Sequence, residues 1–340
     1  MQFFYRYLFL LSPLMVLALV NGFVHGRLWT ALVVFFVVLP LLDALIGSRP
    51  VKWDAATQAK LTVSPLLRVV PVINALAWMA TWAWSISVAS QVWAQGPFAF
   101  LTWVLAVGVV GGALGITTAH ELVHRTSPAL RTLGGVVLSS VCYGVFKVEH
   151  VRGHHLRVAT ADDPVSARRG ETLYRFLPRA IFGVVTHAFA LEAQRLRKLN
   201  RSPWNVGNEC IQWMLLSLAM GALAWVVSGL SGVLLMAGAS IVAIVLLDMV
   251  DYSEHYGITR EPRERVSERH SWDNDSRLTN FFLINLQRHA DHHAHGGKPF
   301  GALVNHDAAP KLPASYSAML LLAMVPPLYM RVVHARLDRQ

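Results

Sequence analysis

Apolar residues in this chain come in long, nearly unbroken blocks separated by short polar turns. A block of about 20 apolar residues is enough to cross a bilayer as a helix. Six are read here, at 7–23, 28–47, 69–93, 97–119, 211–230 and 232–252, and they pair as three hairpins. Two further runs, 133–148 and 315–330, are shorter or carry breakers such as Pro326-Pro327. These two are read as buried or interfacial segments. The pattern predicts an all-α integral membrane protein with six transmembrane helices and one integrated domain. Residues 1–119 hold the first four spans and 211–252 the last two. The polar stretches 120–210 and 253–340 lie between and after them.

Composition agrees with this reading. Of 340 residues, 54% are hydrophobic, and the mean hydropathy is +0.43, too apolar for an ordinary soluble domain. Charge then sets the orientation. With both termini and both polar stretches on one side, 29 of the 30 Lys and Arg residues share that side, and Arg27 alone lies opposite. Basic loops stay in the cytoplasm, so that side is expected to be cytoplasmic and the protein to sit in the inner membrane. The net charge of +10 is mostly this topological signal. No nucleic-acid-binding motif accompanies it. The first apolar run has little basic lead and no clear cleavage site, so it reads as a permanent span rather than a signal peptide. Cys142 and Cys210 are too few and too far apart for a disulfide framework, and free thiols are expected. The basic stretch 168–201 reads as a solvated or headgroup-facing helix. Asp43, Asp248 and Asp251 fall near span ends, where an acid needs a partner such as a ligand histidine or a basic loop residue.

The chemistry lies in four histidine clusters beside the spans: His-Glu-Leu-Val-His at 120–124, Glu-His-Val-Arg-Gly-His-His at 149–155, Glu-His-Tyr-Gly at 254–257, and Gln-Arg-His-Ala-Asp-His-His at 287–293. The candidate ligands are His120, His124, His150, His154, His155, His255, His289, His292 and His293. Within clusters, spacings of three or four residues put pairs on one helix face. Imidazole suits first-row metals. Nine are too many for one ion, and a zinc protease site would use three. A pair of iron ions accounts for all nine. Glu121, Glu149, Glu254, Asp163 and Asp291 are candidates to hold the far nitrogen of ligand imidazoles, or to bind metal themselves. His25, His187, His270, His295, His306 and His334 read as structural or surface residues, with His270 and His295 the nearest to a supporting role.

These motifs resemble the membrane-bound non-haem di-iron alkane 1-monooxygenases, within the wider fatty acid desaturase and hydroxylase superfamily. The likeness is carried by Thr118-Ala-His-Glu-Leu-Val-His-Arg, by the 149–155 cluster, by Tyr252-Ser-Glu-His-Tyr-Gly, by His270-Ser-Trp and by Leu286-Gln-Arg-His-Ala-Asp-His-His-Ala-His. It runs from about residue 40 to about residue 330. The resemblance implies two irons held by nine histidines and hydroxylation of a terminal methyl group of medium- to long-chain n-alkanes by dioxygen. Electrons would come from rubredoxin and its NADH-dependent reductase. No rubredoxin-like Cys-x-x-Cys pairs occur here, so that donor would be a separate protein. Phe35 falls where the family carries a bulky chain-length gate. Arg125 and Asp251 depart from the family's usual lysine and asparagine. Xylene-type methyl-arene monooxygenases and fatty-acyl desaturases share the histidine scheme and are the alternatives.

Overall fold

The computed structural model describes residues 2–339, mostly helical, with isolated bridges but no strand among the described residues. Five helices are long and apolar enough to cross a membrane: α1 (Arg6–Val24), α3 (Pro65–Ser87), α4 (Pro97–Val123), α6 (Leu173–Lys198) and α7 (Glu209–His255). A shorter apolar helix, α2 (Thr30–Ile46), returns from α1. Local chemistry sets the boundaries. Proline opens α3 and α4, where its missing N–H is not needed. Asn208 opens α7 by accepting from the N–H groups of Cys210 and Ile211.

At 47 residues, α7 is more than twice as long as one crossing requires. It is broken at Gly229, whose φ of 58° and ψ of −143° lie outside the helical region and are accessible only to glycine. The chain folds back there. Gly232 lies against the carbonyl of Ala224, which a continuous helix would leave several residues away. The two apolar blocks read from the sequence on either side of 230–232 are thus the two limbs of α7.

Helix α6 occupies the stretch 168–201, read as a solvated or headgroup-facing helix, and is more apolar than a solvated run. It is a 26-residue helix apolar enough to rank among the five, and Phe176, Ala180, Val184 and Ala188 are buried along one stripe. Its last turn carries Arg195, Arg197 and Lys198. The two uncertain apolar runs become α5 (Pro128–Ser140), α9 (Tyr316–Ala323) and α10 (Pro326–Leu337), the last opening at the proline pair. Cys142 and Cys210 are free thiols.

The ends of these helices converge. Asp43, in the last turn of α2, accepts from the backbone N–H groups of Leu278 (2.7 Å) and Thr279 (3.1 Å) and from the Thr279 hydroxyl. Its partner is therefore the N-terminal end of a short helix, a site that favours an anion, rather than a histidine or a basic side chain. Phe9 of α1 packs edge-on against Phe281 and Phe300. One end of the bundle is thereby tied to the C-terminal third, which carries His289–Ala294 (α8).

Candidate metal centre

Each histidine cluster sits at or beside a helix end. His120 lies in the last turn of α4 and His124 caps it. His255 is the last residue of α7, and His289, His292 and His293 belong to α8. The segment His150–His154 is wound as a π-helix, and His155 follows at once. A π turn advances the face by five residues rather than four. It therefore directs His150 and His155 to one point and His154 to another. The sequence spacing had paired His150 with His154.

The nine imidazoles form two adjacent sets. His120, His124, His150, His155 and His292 each offer a nitrogen within 4.8 Å of the others, and so do His154, His255, His289 and His293. In the first set, the Nε2 of His150 lies 2.9 Å from that of His124 and 3.2 Å from that of His155. In the second, the Nε2 of His293 lies 3.1 Å from that of His154 and 2.8 Å from that of His289. His289 and His255 approach to 3.2 Å. The sets touch where His155 stacks on His293 at 4.5 Å.

Burial, reinforced by neighbouring imidazoles, holds His150, His155, His289, His292 and His293 far below the ordinary histidine range. It pushes His124 down to about 3. These side chains are neutral, and their nitrogen lone pairs repel one another unless a cation sits between them. The Nε2 atoms of His120 and His292 are buried with no protein partner. Clustered neutral imidazole nitrogens with unpartnered lone pairs are the donor set of a transition metal, not of calcium or magnesium. Two metal ions fit the two sets.

The carboxylates divide. Asp163 accepts from the Nδ1 of His154 at 3.0 Å and from the Ser166 hydroxyl at 2.6 Å. That bond fixes the proton on Nδ1 and turns the Nε2 lone pair inward. Burial works against a charge on His154, but the Asp163 carboxylate outweighs it and raises the pKa. Glu254 stands on the inner side, with Oε2 3.1 Å from the Nε2 of His289. Glu254 and Asp251 form a further close group with His255. The other three acids bond elsewhere. Glu121 pairs with Arg125 at 2.5 Å, and Glu149 meets the Nδ1 of His187 at 2.8 Å. Asp291 gathers His295, His306, Lys298 and the N–H of Val304. The His270 side chain is held by Ser267 and Glu264, while its backbone bonds the imidazole of His255. Both oxygens of Asp248 are buried without a hydrogen-bond partner among the described residues.

Two supports were invisible to sequence reasoning. Arg152, inside the π turn, donates to Glu192 of α6 at 2.8 Å and to Glu209 of α7 at 2.6 Å. His187 of α6 backs Glu149. Both bridge 38 or more residues, so no local spacing announces them. Gly153 is required by the same crowding, because a Cβ there would come within 2.5 Å of Glu149 Oε1.

A family model described as fatty acid desaturase matches residues 95–322. Alkane 1-monooxygenase 1 of Pseudomonas aeruginosa is 39% identical over 91% of this chain and 83% of its own length. The chain belongs to the alkane 1-monooxygenases of the fatty acid desaturase family. It is thus a membrane oxidoreductase by descent. Alkane 1-monooxygenase 2 of Alcanivorax borkumensis is 35% identical over 91% of this chain and 82% of its own. The xylene/toluene monooxygenase hydroxylase component XylM of Pseudomonas putida is 28% identical over 68% of this chain and 62% of its own.

Phe35, singled out in the sequence, lies on a helix that carries none of the nine histidines. It is buried in a π-helical stretch of α2, Val34–Val38, with its ring edge-on to Phe36 at 4.9 Å. It joins the same apolar core as Trp78 and Trp82. A small apolar cavity among Trp78, Trp82, Val107, Leu235 and Ala239 opens in that core, between the membrane helices.

Proposed function

We propose that this protein hydroxylates the terminal methyl group of medium- to long-chain n-alkanes. An alkane, dioxygen, two electrons and two protons give a primary alcohol and water. The nine histidines hold two non-haem irons, five nitrogens in one set and four in the other. The irons, when bound, supply dioxygen activation. Asp163 holds His154 in the ligating tautomer, and Glu254 stands where a carboxylate ligand would complete the four-nitrogen set. The apolar core between the spans carries a substrate with no polar handle and keeps water from the oxidising site. Phe35 limits chain length.

The chain crosses the inner membrane six times: α1, α2, α3, α4 and the two limbs of α7. Helix α6 lies along the surface, with one face buried and Arg195, Arg197 and Lys198 in its last turn toward the headgroups. Both termini and the histidine clusters face the cytoplasm. That basic face suits an acidic electron donor, rubredoxin, reduced by its NADH-dependent reductase.

The observation that carries this reading is the division of the nine histidines into two touching sets at the ends of apolar helices. Sequence relatives favour the alkane branch over the methyl-arene branch: 39% identity over 91% of the chain against 28% over 68%. The test is conversion of a mixed alkane and methyl-arene panel by cells that also express rubredoxin and its reductase. Primary alcohols from linear alkanes are expected. Benzylic alcohols alone would move the protein to the xylene-type branch, and alkenes would move it to the desaturases. His255→Ala should lose iron and all product. Full iron and turnover in that variant would sink the ligand assignment.

A further inference from the structure

A groove of about 620 Å³ opens where α1 begins and α2 ends, apart from both histidine sets. Its walls come from three distant stretches: Tyr5 and Leu8, the loop at 49–53, and the segment 275–288. One helix end belongs to a membrane-length apolar helix and the other to a shorter apolar one packed beside it, so the groove sits at the margin of the apolar bundle, where hydrocarbon gives way to headgroups.

Its lining has two characters. Leu8, Trp53 and Phe281 give it apolar walls, and Arg49, Arg277 and Arg288 give it charge. Lys52 and Asp275 also line the groove, but Lys52 is neutralised by Asp307 and Asp275 pairs with Lys311. The three arginines have no such answer. Among the described residues, the Arg49 and Arg277 side chains have no hydrogen-bond or ion-pair partner. Arg288 is 3% exposed. Its Nη1 donates to the Tyr5 hydroxyl and to the Leu303 carbonyl. Its Nε is buried and unpartnered. No carboxylate pairs with it among the described residues. A buried guanidinium that meets only neutral oxygens and the Tyr5 ring still lacks a counter-charge, and planar guanidinium groups match phosphate oxygens best.

We propose that this groove binds an anionic phospholipid. The phosphate lies among Arg49, Arg277 and Arg288, and the acyl chain runs over Leu8 and Phe281. A groove of this size, with apolar walls beside convergent cations at a helix-bundle margin, fits a headgroup with the start of its chain. Arg288 immediately precedes His289, so the bound lipid would brace the segment that presents α8 to the metals.

The test uses the full-length, iron-loaded protein in a neutral detergent. Binding of dioleoyl-phosphatidylglycerol and dioleoyl-phosphatidylcholine is titrated by thermal unfolding. Phosphatidylglycerol should bind about tenfold more tightly, a difference of about 1.4 kcal/mol. Arg49→Ala/Arg277→Ala should abolish that preference with iron content unchanged, since neither side chain has a structural partner to lose. Arg331→Ala/Arg336→Ala removes the same charge elsewhere and should leave the preference intact. Equal binding of the two lipids, or a preference that survives in the first pair and falls in the second, would overturn the proposal. Displacement of phosphatidylglycerol by an equal concentration of inorganic phosphate would also overturn it, by showing a site for soluble anions.

Discussion

Asp163 is the residue on which the tautomer of His154 depends. It spends one carboxylate oxygen on His154 and Ser166 together. Asp163→Asn keeps the shape but offers an amide that can present its N–H to His154. Loss of metal affinity or turnover by about 10–100-fold is expected, in the range found for such supporting partners. Iron content and alcohol yield, measured on folded protein, would check it, and wild-type values for both would refute it. The sequence pointed to Asp163 only as an acid near a histidine cluster. It pointed equally to Glu121, Glu149 and Asp291, which bond to Arg125, His187 and a set of loop donors instead. Proximity in sequence selects residues near the cage. Which oxygen meets which nitrogen is settled by contacts from four to 179 residues apart, and only the shortest lie within the reach of spacing.

At the scale of elements, apolar block length was the legible quantity, because the bilayer fixes it. The break near 230 was legible for the same reason, and Gly229 now gives it a conformational cause. A Cβ at Gly229 would meet nothing within 4 Å, so a substitution there tests backbone strain alone. Gly229→Ala should lower stability by about 1–3 kcal/mol, the cost of holding a non-glycine residue in that region. An unchanged unfolding midpoint would show that the turn relaxes freely. The π turn at His150–His154 was not legible. Helical periodicity assumes 3.6 residues per turn, and a one-residue expansion leaves no mark in hydropathy. Arg152 holds this turn to α6 and α7. Arg152→Ala leaves Glu192 with Arg195 and Glu209 with Lys147, and Arg152 itself is partly exposed, so the expected loss is about 2 kcal/mol. A matching fall in iron content would show that the clamp also sets histidine geometry, whereas a stable variant with full iron would remove the clamp from the argument.

For the whole molecule, metal ions would act as cross-links between distant parts of the chain. Ligands at the ends of α4 and α7, in the π turn and in α8 would be joined through two ions. Chelation should therefore lower the unfolding temperature, since an ion bound only by the folded state stabilises it. The loss should be largest at α8, a six-residue helix too short to persist alone. Hydrogen exchange with and without chelator would read this directly. Faster exchange spread evenly over α1–α4 would contradict it. The membership of this site was readable from sequence because chance does not place four histidine clusters on one side of a bundle. Its partition into five and four was not.

That partition gives the site a direction in time. A ribosome that has reached residue 252 has already made four of the five histidines of one set, namely His120, His124, His150 and His155, but only His154 of the other. The first set is nearly complete while the nascent chain is still being inserted, and the second waits for the last quarter of translation. A metal ion entering during synthesis would meet the five-histidine set first. Order of synthesis would become order of metal loading.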